Sequence, residues 1–130
     1  MKSLSRGLAG VFAGLLGITL LGCNPCADDI VQQEKSPDGQ VTATVFYRDC
    51  GATTHEVTHV VLHDSSDKYT SGEFVFSTEY QQGISIRWVS ATELQIKCWG
   101  CLDKVIALQV VQFRQTKISY DLAKSQKMLQ

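Results

Sequence analysis

The chain has 130 residues, with 12 Lys and Arg against 13 Asp and Glu and a formal net charge of −1. That length fits one domain able to bury roughly 60–70% of its unfolded surface in a modest core. No basic excess or basic stripe is present, so nucleic-acid binding has no electrostatic basis.

The N-terminus carries Lys2 and Arg6, followed by an apolar run from Leu8 to Leu21. The run of about 14 residues matches the apolar region of an export signal and falls short of the roughly 20 residues of a membrane span. It closes on Leu20-Leu21-Gly22-Cys23, which resembles a bacterial lipoprotein signal. The resemblance implies removal of residues 1–22 and lipidation of Cys23, with residues 23–29 as a lipidated N-terminus and linker. The membrane, reached through a lipid anchor, is then one expected partner. Asn24 rather than Asp follows the cysteine. If the source is Gram-negative, that implies the outer membrane; if it is Gram-positive, the rule does not apply. Loss of Lys2 and Arg6 leaves the mature part more acidic.

Residues 30–120 are predicted to be a β domain. Ile30 to Lys35 runs into Ser36-Pro37-Asp38-Gly39, a turn in which Pro37 presets φ, Asp38 bonds nearby backbone and Gly39 takes positive φ. Gln40 to Tyr47 then alternates, with Val41, Ala43, Val45 and Tyr47 on one face. The pair reads as a β-hairpin. Arg48-Asp49-Cys50-Gly51 reads first as a strand end with local bonds, a disulfide and a positive-φ glycine. A second reading makes Arg48, Asp49, Thr53 and Thr54 a surface for a partner.

His55-Glu56-Val57-Thr58-His59 matches the H-E-x-x-H zinc signature. That chemistry needs a helix, which brings the two imidazoles to about 6 Å. Thr54, Val57, Thr58, Val60 and Val61 favour a strand, which separates them by about 13 Å. No metal is therefore expected, and His55, His59 and His63 are predicted on the solvent face of a strand from Val57 to His63. Phe74-Val75-Phe76 is a short strand. Ile84, Ile86 and Trp88 form a hairpin with Leu94, Ile96 and Cys98 through the turn Ser90 to Glu93. Val105 to Phe113 is a further apolar strand, and residues 121–130 are a tail or short helix. About seven short strands result, mainly antiparallel, and a meander, a sandwich and a small barrel all accommodate them.

Besides Cys23, the cysteines Cys26, Cys50, Cys98 and Cys101 form an even set, as in disulfide-stapled exported domains. A Cys50–Cys98 bond closes a loop of about 48 residues and contributes about 4 kcal/mol, against about 2 for Cys98–Cys101. Cys50 is therefore expected to pair with Cys98 or Cys101, and Cys26 with the other. The alternative use of Cys98-Trp99-Gly100-Cys101 is thiol–disulfide exchange, which favours a helix start at the first cysteine. Strand-like residues precede this one.

Ser36-Pro37-Asp38-Gly39 and Arg48-Asp49-Cys50-Gly51-Ala52-Thr53-Thr54, with Ile86-Arg87-Trp88 and Leu94-Gln95-Ile96 downstream, resemble an uncharacterised family of small bacterial exported or membrane-linked proteins. Its members read S-P-D-G-x-Y/W, then R-D-C-G-A-T-T. The resemblance covers residues 30 to 98, and Val41 stands where the family has an aromatic. It implies the fold class and lends no activity, and the family's cysteine falls on Cys50. No catalytic constellation or cofactor site is read from these residues. The expectation is an envelope lipoprotein that binds a protein partner, of inhibitor or immunity type by size and location. A thiol–disulfide oxidoreductase is the alternative.

Overall fold

The structure is a computed structural model that describes residues 26–51 and 54–122. Among these, nine strands form two packed sheets. They are β1 (Ala27–Lys35), β2 (Val41–Asp49), β3 (Val57–Asp64), β4 (Glu73–Thr78), β5 (Ile84–Ser90), β6 (Glu93–Cys98), β7 (Ile106–Gln109), β8 (Gln112–Phe113) and β9 (Thr116–Asp121). One sheet has the order β1-β2-β3-β4-β7 and the other β5-β6-β9-β8. The mainly-β expectation is met, with two more strands than predicted. The first strand starts at Ala27, inside the stretch read as linker, and β9 runs to Asp121. Residues 123–130, where a short helix was considered, and Cys23 lie outside the described residues.

Both predicted hairpins form. In the first turn, Gly39 N–H donates to Ser36 O at 2.8 Å, and Asp38 Oδ1 accepts from Ser36 Oγ and Gln40 N–H. The alternation from Val41 places Ala43 and Val45 against the second sheet, with Val60, Leu62, Val75 and Phe76 beside them. Ile86, Leu94, Ile96, Phe113 and Ile118 face them from β5, β6, β8 and β9. Burying each such side chain contributes about 1.5–3 kcal/mol.

The two sheets are joined along both edges. On one side the chain itself crosses, passing from β7 to β8. Val110 N–H there donates to Val75 O in one sheet, and Val111 O accepts from Ile118 N–H in the other. This excursion also makes β9 parallel to β6, a pairing that an antiparallel meander lacks. On the other side β1 and β5 meet through a side chain. Gln32 accepts from Ile86 N–H through Oε1 at 3.2 Å and donates to Ile86 O through Nε2 at 3.1 Å. The Trp88 indole N–H donates to Glu34 O alongside. The amide of Gln32 thus substitutes for a neighbouring strand and covers an otherwise open edge.

A β-bulge lies next to that side chain and separates its register from that of the first half of β1. Val31 is the extra residue: Ile30 pairs with Phe46, and Gln32 with Val45. Ile30 therefore shares the outer face with Phe46, while Gln32 shares the inner face with Val45.

The disulfides are Cys26–Cys50 and Cys98–Cys101, which corrects the expected long-range pairing. Loop entropy ranks possible closures, but proximity in the fold decides among them. The β1–β2 register runs out at Ala27 opposite Asp49, so Cys26 and Cys50 fall next to each other. Cys98 and Cys101 flank the two-residue turn Trp99-Gly100.

Replacing Gln32 by Leu strands the N–H and O of Ile86 and is expected to lower unfolding free energy by about 1–3 kcal/mol in urea titration. Gln115→Ala, in an exposed turn, is expected to change it by less than about 0.5 kcal/mol. Equal effects of the two substitutions would remove Gln32 as the edge clamp.

Candidate functional site

The outer face of the five-stranded sheet carries a cluster of polar and aromatic side chains. Alternation puts Asp28 and Ile30 of β1, Phe46 and Arg48 of β2, and His59 and Val61 of β3 on this face. Phe74 joins them because β4 also bulges: Val60 pairs with Phe76 and Val61 with Phe74. Val75 and Phe76 are thereby both turned into the core, and Phe74 is left outside.

A 3-10 turn, Tyr69–Ser71, lies over the sheet at this point. It can do so because Gly72 has no side chain; a Cβ there would stand 2.7 Å from Leu62 O and 3.0 Å from His63 Cβ. Phe46, Arg48, Val61, Tyr69, Thr70 and Phe74 line the resulting cleft of about 170 Å³.

Arg48 organises the cluster. Its Nε and Nη2 donate to the two oxygens of Asp28 at 2.7 and 2.8 Å. Such a bidentate fork fixes the guanidinium plane. Tyr69 donates its hydroxyl to Asp28 Oδ2 at 2.8 Å. The guanidinium lies 5.1 Å from the Phe46 ring centroid and 6.0 Å from that of Phe74. His59 packs on Phe74 and Phe46, with ring centroids 4.8 and 5.3 Å away, and its Nδ1 shares a hydrogen bond with Ser77 Oγ at 2.7 Å. The pair is partly shielded: the Asp28 side chain is 15% exposed and that of Arg48 30%.

The Arg48 hydrogen bond holds the Asp28 carboxyl below its usual pKa; burial opposes this and the Tyr69 hydroxyl adds to it. Burial lowers the His59 pKa, and the nearby Arg48 charge lowers it further, against a weaker pull from Asp28. A neutral imidazole next to a fixed guanidinium, framed by aromatic rings, offers a ligand hydrogen bonding, a cation and apolar area together.

The histidines differ from expectation. His59 and His63 do share a face, but it is packed rather than solvent-facing. His63 is buried, with Nε2 bonded to Thr44 Oγ1 at 3.0 Å. His55 precedes β3 and stacks on Tyr80 at 4.7 Å. The segment carrying the H-E-x-x-H match is extended, not helical.

The residues read as one partner surface separate. Arg48 faces the cleft. Asp49 Oδ1 accepts from Gly51 N–H at 3.0 Å, and Thr54 Oγ1 donates to Gly51 O at 3.1 Å, closing a local loop in which Gly51 has φ 120°. Thr53 lies outside the described residues. Asp28, His59, Tyr69 and Phe74 do not stand out as a group in the sequence. The available signal was the hairpin register, which brings an aspartate opposite Arg48 when followed outward from the turn.

The pH dependence follows from His59. Its folded-state pKa is depressed, so the contribution is complete above the unfolded value of about 6.5 and is lost as pH falls from there through the lower folded value. Unfolding free energy is expected to decline as pH falls below about 6.5, and His59→Phe to flatten that decline. An unchanged slope in the variant would assign the dependence elsewhere. Asp28 acts lower, its contribution being lost only as pH falls through its depressed folded value.

No family model, curated protein or solved structure matches this chain.

Proposed function

We propose that the mature chain is a lipid-anchored binding module of the cell envelope. Its contact face is the outer face of the five-stranded sheet around Arg48. The observation that carries this reading is the fixed guanidinium at the cleft, bordered by Phe74 and Ile30, which are 40% and 44% exposed. Arginine and large aromatics dominate binding energy at protein interfaces, most of all when ordered before contact. Asp28 and Tyr69 supply that order here. The location rests on the signal ending at Cys23, with the outer membrane favoured if the source is Gram-negative. An inhibitor or immunity protein against a secreted hydrolase suits a stapled domain of this size, an argument from analogy alone.

The test is crosslinking and capture by the full lipidated chain from its own envelope. A specific partner is expected with the native chain and with Val89→Ser, and loss of that partner with the double substitution Ile30→Ser and Phe74→Ser. A partner retained by the double variant would move the contact face elsewhere.

Thiol–disulfide exchange at Cys98 and Cys101 has one observation in its favour: the two sulfurs are bonded to each other across the C-x-x-C spacing. Both residues are only 1% exposed, and Cys98 ends a strand rather than beginning a helix. Reactive cysteines are accessible and held at low pKa by such a helix start. Free-thiol titration in a glutathione buffer is expected to find none at this pair in the native protein. Two thiols appearing without loss of fold would favour the redox reading.

A further inference from the structure

The two ends of the sandwich differ in chemistry. Strand β1 begins beside Cys26, and the loops after β2, β4 and β6 lie at the same end. Contacts tie this end together: Glu79 N–H donates to Val105 O, Gln82 N–H to Thr58 Oγ1, and Trp99 N–H to Gly83 O. These loops expose Trp99, Tyr80 and Leu102, at 69%, 46% and 41%. The opposite end consists of four turns whose exposed residues, Pro37 apart, are polar, among them Asp38, Gln40, Asp67, Lys68, Arg114 and Gln115. Of the large apolar side chains exposed toward that end, Phe74 belongs to the Arg48 face, and Val89 and Val111 stand on the flanks.

Trp99 is also presented rigidly. It sits in the turn closed by the Cys98–Cys101 bond, and both cysteines belong to the hydrophobic core. Beside it a groove runs along Val31, Tyr47 and Ile84. An indole standing out from a fixed, core-tied turn is suited to the zone where lipid headgroups meet acyl chains, since its body is apolar and its N–H polar.

The chain outside the structure defines what this end meets. Only Asn24 and Pro25 separate Cys26 from Cys23. Three residues span at most about 10 Å, so a lipid on Cys23 holds the Cys26 end next to the bilayer. We infer that the Trp99 turn, with Leu102 and Tyr80, rests on the bilayer surface and fixes the orientation of the anchored domain, an inference that depends on the lipid-anchor reading above. The polar turns then point away, and the Arg48 face stands to the side, open to a partner. Asp29, Asp49, Glu56, Glu79 and Asp103 are exposed at or near the docking end, against Lys97 and Lys104. This excess of acid makes the partner surface zwitterionic rather than anionic lipid.

The test uses the full lipidated chain and its Trp99→Phe variant on vesicles of zwitterionic phospholipid, with and without bromine on the acyl chains. Flotation with the vesicles reads the anchor, and loss of tryptophan emission reads the contact. Trp88 is the internal control, because the stretch from its partner Leu94 to Trp99 covers roughly 16 Å at about 3.3 Å per residue. The expected result is flotation of both proteins, bromine-dependent loss of emission in the native chain, and none in Trp99→Phe. Anionic lipid is expected to reduce the loss at low salt, and added salt to restore it. Flotation without quenching keeps the anchor and overturns the docking, as would happen if the turn faced a protein. Equal quenching of both proteins overturns it too, because Trp88 would then be the buried indole. Failure to float removes the anchor, and the docking with it.

Discussion

One extra residue in the first strand decides which of its side chains meet Arg48 and Cys50. Val31 bulges out of the β1–β2 ladder. Between the turn and the bulge, Gln33 and Lys35 face outward, and Gln32 faces the second sheet. Beyond the bulge, Asp28 stands opposite Arg48, and Cys26 falls next to Cys50. Without the bulge, a regular ladder drawn outward from Lys35 opposite Thr42 would place Asp29 against Arg48 and Ala27 against Cys50. The bulge lets both halves of β1 meet useful partners at once. One half clamps the sheets together through Ile86, and the other orders the Arg48 cluster and the staple.

This arrangement assigns separate tasks to separate parts of a small domain. The inner face of each sheet is apolar and supplies the core. The outer face of the five-stranded sheet is not surplus surface, because Tyr69 and the Asp28–Arg48 pair hold an aromatic cluster against it. The two disulfides lie at one end, where the chain emerges from its expected anchor. Cys26–Cys50 joins the first two strands there, and Cys98–Cys101 braces the turn that carries Trp99. Under the proposed function, position relative to the membrane and contact with a partner would be set by different surfaces. Change at one need not disturb the other.

Much of the strand pattern was legible because it rests on local chemistry. Ser36-Pro37-Asp38-Gly39 carries its own turn mechanism, and the alternation of Val41, Ala43 and Val45 marks the inner face without outside information. The hairpin of Ile86 and Trp88 with Leu94 and Ile96 is visible for the same reason. The rest was hidden by non-local events. Asp28 lies in the polar stretch from Asn24 to Asp29, which reads as linker, and a bulge leaves no mark in the alternation to say that Asp28 rather than Asp29 meets Arg48. The packed surroundings of His59 and His63 come from Phe74 and the Tyr69 turn, which lie further along the chain. The parallel placement of β9 against β6 depends on the excursion of β7 to the other sheet. Loop entropy misranked the disulfides because it compares closures as though every pair of cysteines could meet.

The bulged register of β1 is tested most directly by cross-strand nuclear Overhauser contacts between the backbones of β1 and β2 in the folded protein. Arg48 is expected to show its contacts to Asp28, with Phe46 facing Ile30 and Val45 facing Gln32. Contacts from Arg48 to Asp29 would mean a regular ladder, and would contradict the Asp28–Arg48 ion pair and the placement of Cys26 beside Cys50 together.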